Sequence, residues 1–256
     1  MRTLVLLSVS GMMAAAATRP ALDDMLQRAG KAVERSWEQL ASVNCRESVS
    51  QVKLNKDGKV VNKREGLFDY LAVLQIQGDD LIVQESRIPV RPVAESKKVP
   101  LLVTNGFATA LLVFHPFFQG SFEFSPPQED DLGGRRCVRV NFSQVRNARS
   151  PSALRLKGRD YPIEWQGTGW LDPSTGVLLR IRMELKAAME DVGLRTLRAE
   201  VAYAPVRFEN QSQEFWLPRE ADIDAETPLQ HWRNVHRFAD FKRFTVDTKV
   251  VTQTPQ

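Results

Sequence analysis

Three histidines, His115, His231 and His236, and two cysteines, Cys45 and Cys137, are the side chains of this chain best suited to act as base, nucleophile or metal ligand near neutral pH. No Gly-x-Ser-x-Gly elbow accompanies them, and no histidine has a serine or cysteine placed to be activated by it. His231 and His236 stand near Asp222, Asp224 and Asp240, and imidazole with carboxylate is a common metal set. Their five-residue spacing, however, fits neither one face of a helix nor one side of a regular strand. The carboxylates are too many and too evenly spread for an acid–base pair to stand out. These residues assemble neither a catalytic nor a metal centre, and no cofactor is implied.

Two other stretches could do chemistry by binding. Arg135, Arg136, Arg139, Arg146, Arg149, Arg155, Lys157 and Arg159 fall where no acid intervenes between Asp131 and Asp160. Guanidinium forks of this kind grip phosphate or carboxylate, so Arg135, Arg136, Arg139 and Arg146 are candidate contacts for an anionic head group. The alternative is a solvated face that meets acids elsewhere, with Glu123, Glu129, Asp130 and Asp131 just upstream. Residues 106–120 hold Phe107, Leu111, Leu112, Phe114, Phe117 and Phe118 with little polar relief beyond His115 and Gln119. As a short helix ended by Pro116 this segment is apolar all round and must be buried on two faces or touch a hydrophobic ligand. Core helix and cavity wall both stand as readings of it.

The elements that position these residues start after a leader. Met1-Arg2 precedes an uncharged apolar stretch with Leu4, Val5, Leu6, Leu7 and Val9, closed by Ala14-Ala15-Ala16-Ala17, which is the pattern of a secretory signal peptide cleaved after Ala17. The stretch is shorter than the roughly 20 residues of a bilayer span. Residues 18–256 are then one exported domain, periplasmic or secreted. Its formal charge is +3, the +4 of the whole chain less Arg2, too weak a bias to argue for nucleic acid. Export favours a Cys45–Cys137 disulfide, which would contribute roughly 3–4.5 kcal/mol by closing a loop of about ninety residues; the alternative is two buried thiols.

A helix is predicted from Pro20, with Leu22, Met25, Leu26, Ala29, Val33, Trp37 and Leu40 on one face and Asp23, Asp24, Arg28, Lys31, Glu34 and Glu38 on the other. Strands follow. Asn55-Lys56-Asp57-Gly58 turns one hairpin, and Gln77-Gly78-Asp79-Asp80 a second. Val138, Val140 and Phe142 alternate with Cys137, Arg139, Asn141 and Ser143, which puts Cys137 on the polar side. Asp172-Pro173-Ser174-Thr175-Gly176 turns the chain into the alternating run Val177, Leu179, Ile181, Met183, Leu185. A further pair is predicted over 197–208 and 214–217, a bulged strand over 231–244, and a last strand over 244–250. Hairpins dominate and crossover helices are absent, so the sheet is antiparallel.

This order of elements resembles the LolA/LolB superfamily of periplasmic lipoprotein carriers, carried by stretches such as Gly167-Thr168-Gly169-Trp170-Leu171-Asp172-Pro173-Ser174-Thr175-Gly176 leading into a strand. The resemblance covers nearly the whole mature chain and is architectural; no residue role is transferred. It implies an α+β, mostly β fold: an amphipathic helix packed on a curved, unclosed antiparallel half-barrel with a short apolar helical insertion. It also implies a cavity for acyl chains. Two functions follow as expectations: an exported binding protein that shelters a lipid or lipidated protein, or an envelope structural or protein-interaction module with a filled core.

Overall fold

The computed structural model describes residues 13–78, 80–91, 104, 107–209 and 213–244. The first twelve residues of the leader and the predicted strand beyond Phe244 lie outside the described residues.

Helix α1 (Met13–Leu40) starts earlier than Pro20, because the alanines of 14–17 are the strongest helix formers and extend it toward the N-terminus. Met25, Ala29, Val33, Trp37 and Leu40 are buried along its inner face, while Asp23, Asp24, Lys31, Glu34 and Glu38 are exposed. No helix among the described residues is long and apolar enough to cross a membrane.

Strand β1 (Val43–Leu54) buries Val43, Cys45, Glu47 and Val49 in strict alternation. It turns through Asn55–Gly58 into β2 (Val60–Gln77), which turns again into β3 (Asp80–Pro89). Residues Phe107–Phe114 then form a 3-10 helix rather than an α-helix. That helix ends before Pro116 as expected, with His115 extended, and Pro116 also starts the next, α2 (Pro116–Gln119), capped by His115, whose Nδ1 accepts from Phe117 N at 3.1 Å. The short strands β4 (Phe122–Phe124) and β5 (Gln128–Asp131) follow, and both pair with β6 (Arg136–Gln144). A small separate hairpin, β7 (Ala153–Leu156) and β8 (Arg159–Pro162), leads to β9 (Trp165–Leu171), β10 (Leu178–Leu185), β11 (Thr196–Arg207), β12 (Glu214–Glu226) and β13 (His231–Arg243).

The main sheet is antiparallel throughout, in the order β3-β2-β1-β13-β12-β11-β10-β9-β6-β4, and does not close. One face of it, from Tyr70 on β2 to Phe142 on β6, joins a single apolar cluster with α1 and the 3-10 segment, so the sheet wraps around them. Its other face carries ion pairs such as Arg233 with Asp222 and Arg237 with Glu220. Strand β13 is bulged, as expected over 231–244: between Asn44↔Lys242 and Arg46↔Ala239 it advances three residues against two, with Asp240 at φ +52°.

Two glycines let the layers meet. A Cβ on Gly169 would fall 2.5 Å from the Phe114 ring, so the glycine makes the hollow in β9 that this ring fills. At the β9–β10 turn, Asp172 Oδ1 accepts from Ser174 N at 3.1 Å and Thr175 N at 3.0 Å, and Gly176 closes the turn at φ +72°, against the backbone of Arg28 in α1.

The expected disulfide is not formed; both cysteines are free. Cys45 belongs to the apolar cluster inside the sheet, whereas Cys137 does not. Five strands separate β1 from β6, each step spanning roughly 4.8 Å, and the two thiols lie on opposite faces. Bonding requires Cα atoms within roughly 7 Å.

Candidate functional site

The end of the inner face that α1 leaves uncovered holds a cavity of about 1240 Å³. Its walls come from far-apart strands: Leu81 and Val83 on β3, Leu154 on β7, Trp165 on β9, Met183 on β10, Leu197 on β11, Ala225 on β12 and Trp232 on β13. Inward alternation aims each of these from its own strand, and sheet curvature brings them together.

The loop after β6 forms part of the wall and is tied down from within. Gln144 is fully buried; its Oε1 accepts from Trp165 N at 3.1 Å and its Nε2 donates to Ala148 O at 3.3 Å. Ser150 Oγ donates to Ile163 O at 2.6 Å. The β7–β8 hairpin turns at Lys157 and Gly158, both at positive φ, and Arg155 grips Asp160 through two bonds of 2.7 Å. The start of β3 meets this loop where Arg149 lies 3.7 Å from Asp80.

The apolar residues of 106–120 fall mainly on the core side of the two readings. Leu111, Leu112, Phe114 and Phe118 are buried between α1 and the sheet, and Phe117 is partly exposed beneath the Arg149 guanidinium. None of them lines the cavity; Ala110 and Val113 of the same segment do. The side chain of Phe107 lies outside the described residues. Of the arginines, Arg135 donates to Asp172 at 3.0 Å and stacks on Trp216, and Arg139 donates to Gln128. Arg136 and Arg146 are exposed, and none of the four lines the cavity. His231 bonds Asp224 at 2.7 Å, and His236 points to the opposite face, so the imagined metal set is divided by the sheet. No group of metal-ligating residues occurs among the described residues.

A buried polar network, unforeseen from the sequence, borders the cavity at Glu85 and Thr104. Arg87 donates to both oxygens of Glu47, at 2.6 and 3.0 Å, and to Glu85 at 2.8 Å, and lies over the Tyr70 ring. Tyr70 donates to Glu85 at 2.6 Å. His236 contacts Glu47 through Nδ1 at 2.8 Å and Thr104 through Nε2 at 2.6 Å, and Asn234 donates to Thr104 at 3.0 Å. Burial opposes ionisation of Glu47, but hydrogen bonds from His236 and Arg87 and the guanidinium charge outweigh it and hold its carboxyl below the usual range. Burial, then the charge of Glu85, pushes the Tyr70 hydroxyl well up, keeping it a neutral donor. The available signal was Glu47 itself, an acid on the apolar side of an alternating strand.

No family model matches the chain, and no curated protein matches it. Among solved structures it is similar to a DUF1329 family protein from Desulfovibrio piger, at 12% identity over 87% of this chain and 93% of that one, with a TM-score of 0.46. It is also similar to a putative outer membrane lipoprotein-sorting protein domain from Vibrio parahaemolyticus, at 10% identity over 89% and 95%, with a TM-score of 0.45. At these identities the likeness is one of fold.

Proposed function

We propose that this chain is an exported binding protein that shelters an acyl chain, of a lipid or a lipidated protein, in the cavity between β3 and the β7–β8 hairpin. In this reading residues 1–17 are removed on export and the protein works in the periplasm or outside the cell. The observation that carries it is the cavity wall. Leu81, Val83, Leu154, Met183 and Leu197 supply apolar surface around a volume above the roughly 300–1,000 Å³ of ordinary small-molecule pockets. The indole N–H of Trp232, also in this wall, is buried without an acceptor among the described residues, and an ester or amide carbonyl next to an acyl chain would supply one.

The test is to express the full chain with its leader, confirm by intact mass that the product begins at Thr18, and extract the purified protein with organic solvent. Acyl lipid in the extract, together with displacement of a fluorescent fatty acid, is the expected result. An empty extract and no fatty-acid binding would overturn the reading in favour of an envelope module that works through protein contacts.

A further inference from the structure

Resting on the reading of the cavity as the place where an acyl chain is held, we infer that the group at its margin is an anion, the carboxylate or phosphate of the amphiphile, gripped by Lys53 and Arg64. Sheet register carries this. Residues paired directly across an antiparallel sheet share a face, with Cβ atoms roughly 4.5–5.5 Å apart. One such row crosses five strands on the inner face: Asn62 on β2, Lys53 on β1, Trp232 on β13, Ala225 on β12 and Leu197 on β11. Trp232, Ala225 and Leu197 line the cavity. Lys53 is therefore the next side chain beyond the wall, where the row passes from apolar to cationic.

Arg64 stands in the adjoining row, paired with Gln51, which pairs in turn with the buried Asn234. It is the diagonal neighbour of Lys53, at a spacing of roughly 7–8 Å that long side chains bridge. Both cations are half-buried, and among the described residues neither has an ion pair or a hydrogen bond. The acids of their own strands are engaged elsewhere. Glu65 pairs with Lys63 on the other face, and Glu47 is held by Arg87 and His236. Two like charges side by side repel, and an anion between them turns that repulsion into attraction.

Trp232 is the independent observation. Its indole N–H is buried without an acceptor among the described residues, and its place in the row is between Lys53 and the apolar wall. An indole N–H, an ammonium and a guanidinium thus adjoin one another on one face, all donors. An oxyanion accepts from each of them while its chain lies along Leu197 and Met183. Beside an apolar, low-dielectric space that attraction is weakened far less than it would be in water.

Trp165 and Trp232 line the cavity and provide a fluorescence readout. The purified protein is titrated at pH 8 with dodecanoate, dodecanol and dodecylammonium, which share one chain length. Dodecanoate should bind about tenfold more tightly than dodecanol, and dodecylammonium weakest of the three. Lys53→Gln/Arg64→Gln should bring dodecanoate and dodecanol within about twofold while leaving the dodecanol affinity unchanged. The single variants, each losing part of the preference, decide if the double variant does not fold. Dodecanoate binding no more tightly than dodecanol, or an unchanged preference in these variants, overturns the inference and leaves the cavity reading in place. Failure of all three compounds to bind overturns the cavity reading itself. Lysophosphatidylglycerol tested against a monoacylglycerol of the same chain then identifies the source. Preference for the former assigns the anion to a phospholipid head group, and equal binding of the two assigns it to the carboxylate of a free fatty acid; both uphold the anion.

Discussion

Glu47 and Arg87, forty residues apart in sequence, meet as a bidentate pair inside the sheet, with the Glu47 side chain wholly shielded from solvent. Strand β2 lies between the two strands that carry them, so the pair bridges over Tyr70 and ties the edge strand β3 to β1. Removing the Glu47 charge leaves the buried donors of Arg87 and His236 without their charged acceptor, which is costly although Glu85 still faces the guanidinium.

Glu47→Gln should therefore lower stability by about 3 kcal/mol at neutral pH. The Glu47 carboxyl titrates below its ordinary value of 4.5, so its contribution is fully present above that pH and is lost as pH falls through the depressed folded value. Urea unfolding followed from pH 7 to pH 3 should show the native protein losing stability in acid more steeply than Glu47→Gln. Parallel curves would refute the assignment.

The contact between Gly169 and Phe114 makes a second prediction. Gly169→Ala places a methyl group against the ring and should cost about 1–3 kcal/mol by overpacking. Shrinking the ring in Gly169→Ala/Phe114→Leu should recover part of the loss, a coupling that a double-mutant cycle reads directly.

The thiols should behave as independent groups. Burial, and next the charge of Glu47, pushes the Cys45 thiol up to about 12, so it stays protonated and unreactive in the folded protein. Dithiothreitol should leave the melting temperature unchanged, and alkylation in denaturant without reductant should modify both cysteines. A disulfide would instead show as a loss of about 4 kcal/mol on reduction.

Core and cavity wall are separable by substitution. Leu111 is buried in the cluster with α1, so Leu111→Asp should unfold the protein by burying an unpaired carboxylate. Leu154, half-buried on the β7–β8 hairpin, faces the cavity, so Leu154→Asp should keep the circular dichroism spectrum and melting temperature while abolishing fatty-acid binding. Retained binding in Leu154→Asp would remove this hairpin from the site.

The amphipathic stripe of α1, the turns at 55–58 and 172–176, and the bulge of β13 were all legible because each is written in neighbouring residues. Residues 106–120 were legible as apolar but not in direction. Composition alone does not show that Leu111 and Phe114 would face α1 and the sheet while Ala110 and Val113 faced the cavity.

What the sequence determined by itself is therefore the local grammar: one amphipathic helix, a train of hairpins and an antiparallel sheet with an apolar inner face. Side-chain period and turn chemistry act over a few residues and need no knowledge of the rest of the chain. Only the tertiary structure decided that Cys45 and Cys137 stay apart, that the arginines of 135–146 lie off the cavity, and that Glu47 meets His236 across 189 positions. Those outcomes depend on sheet order and curvature, which set distances between strands remote in sequence and are fixed by the packing of the whole inner face.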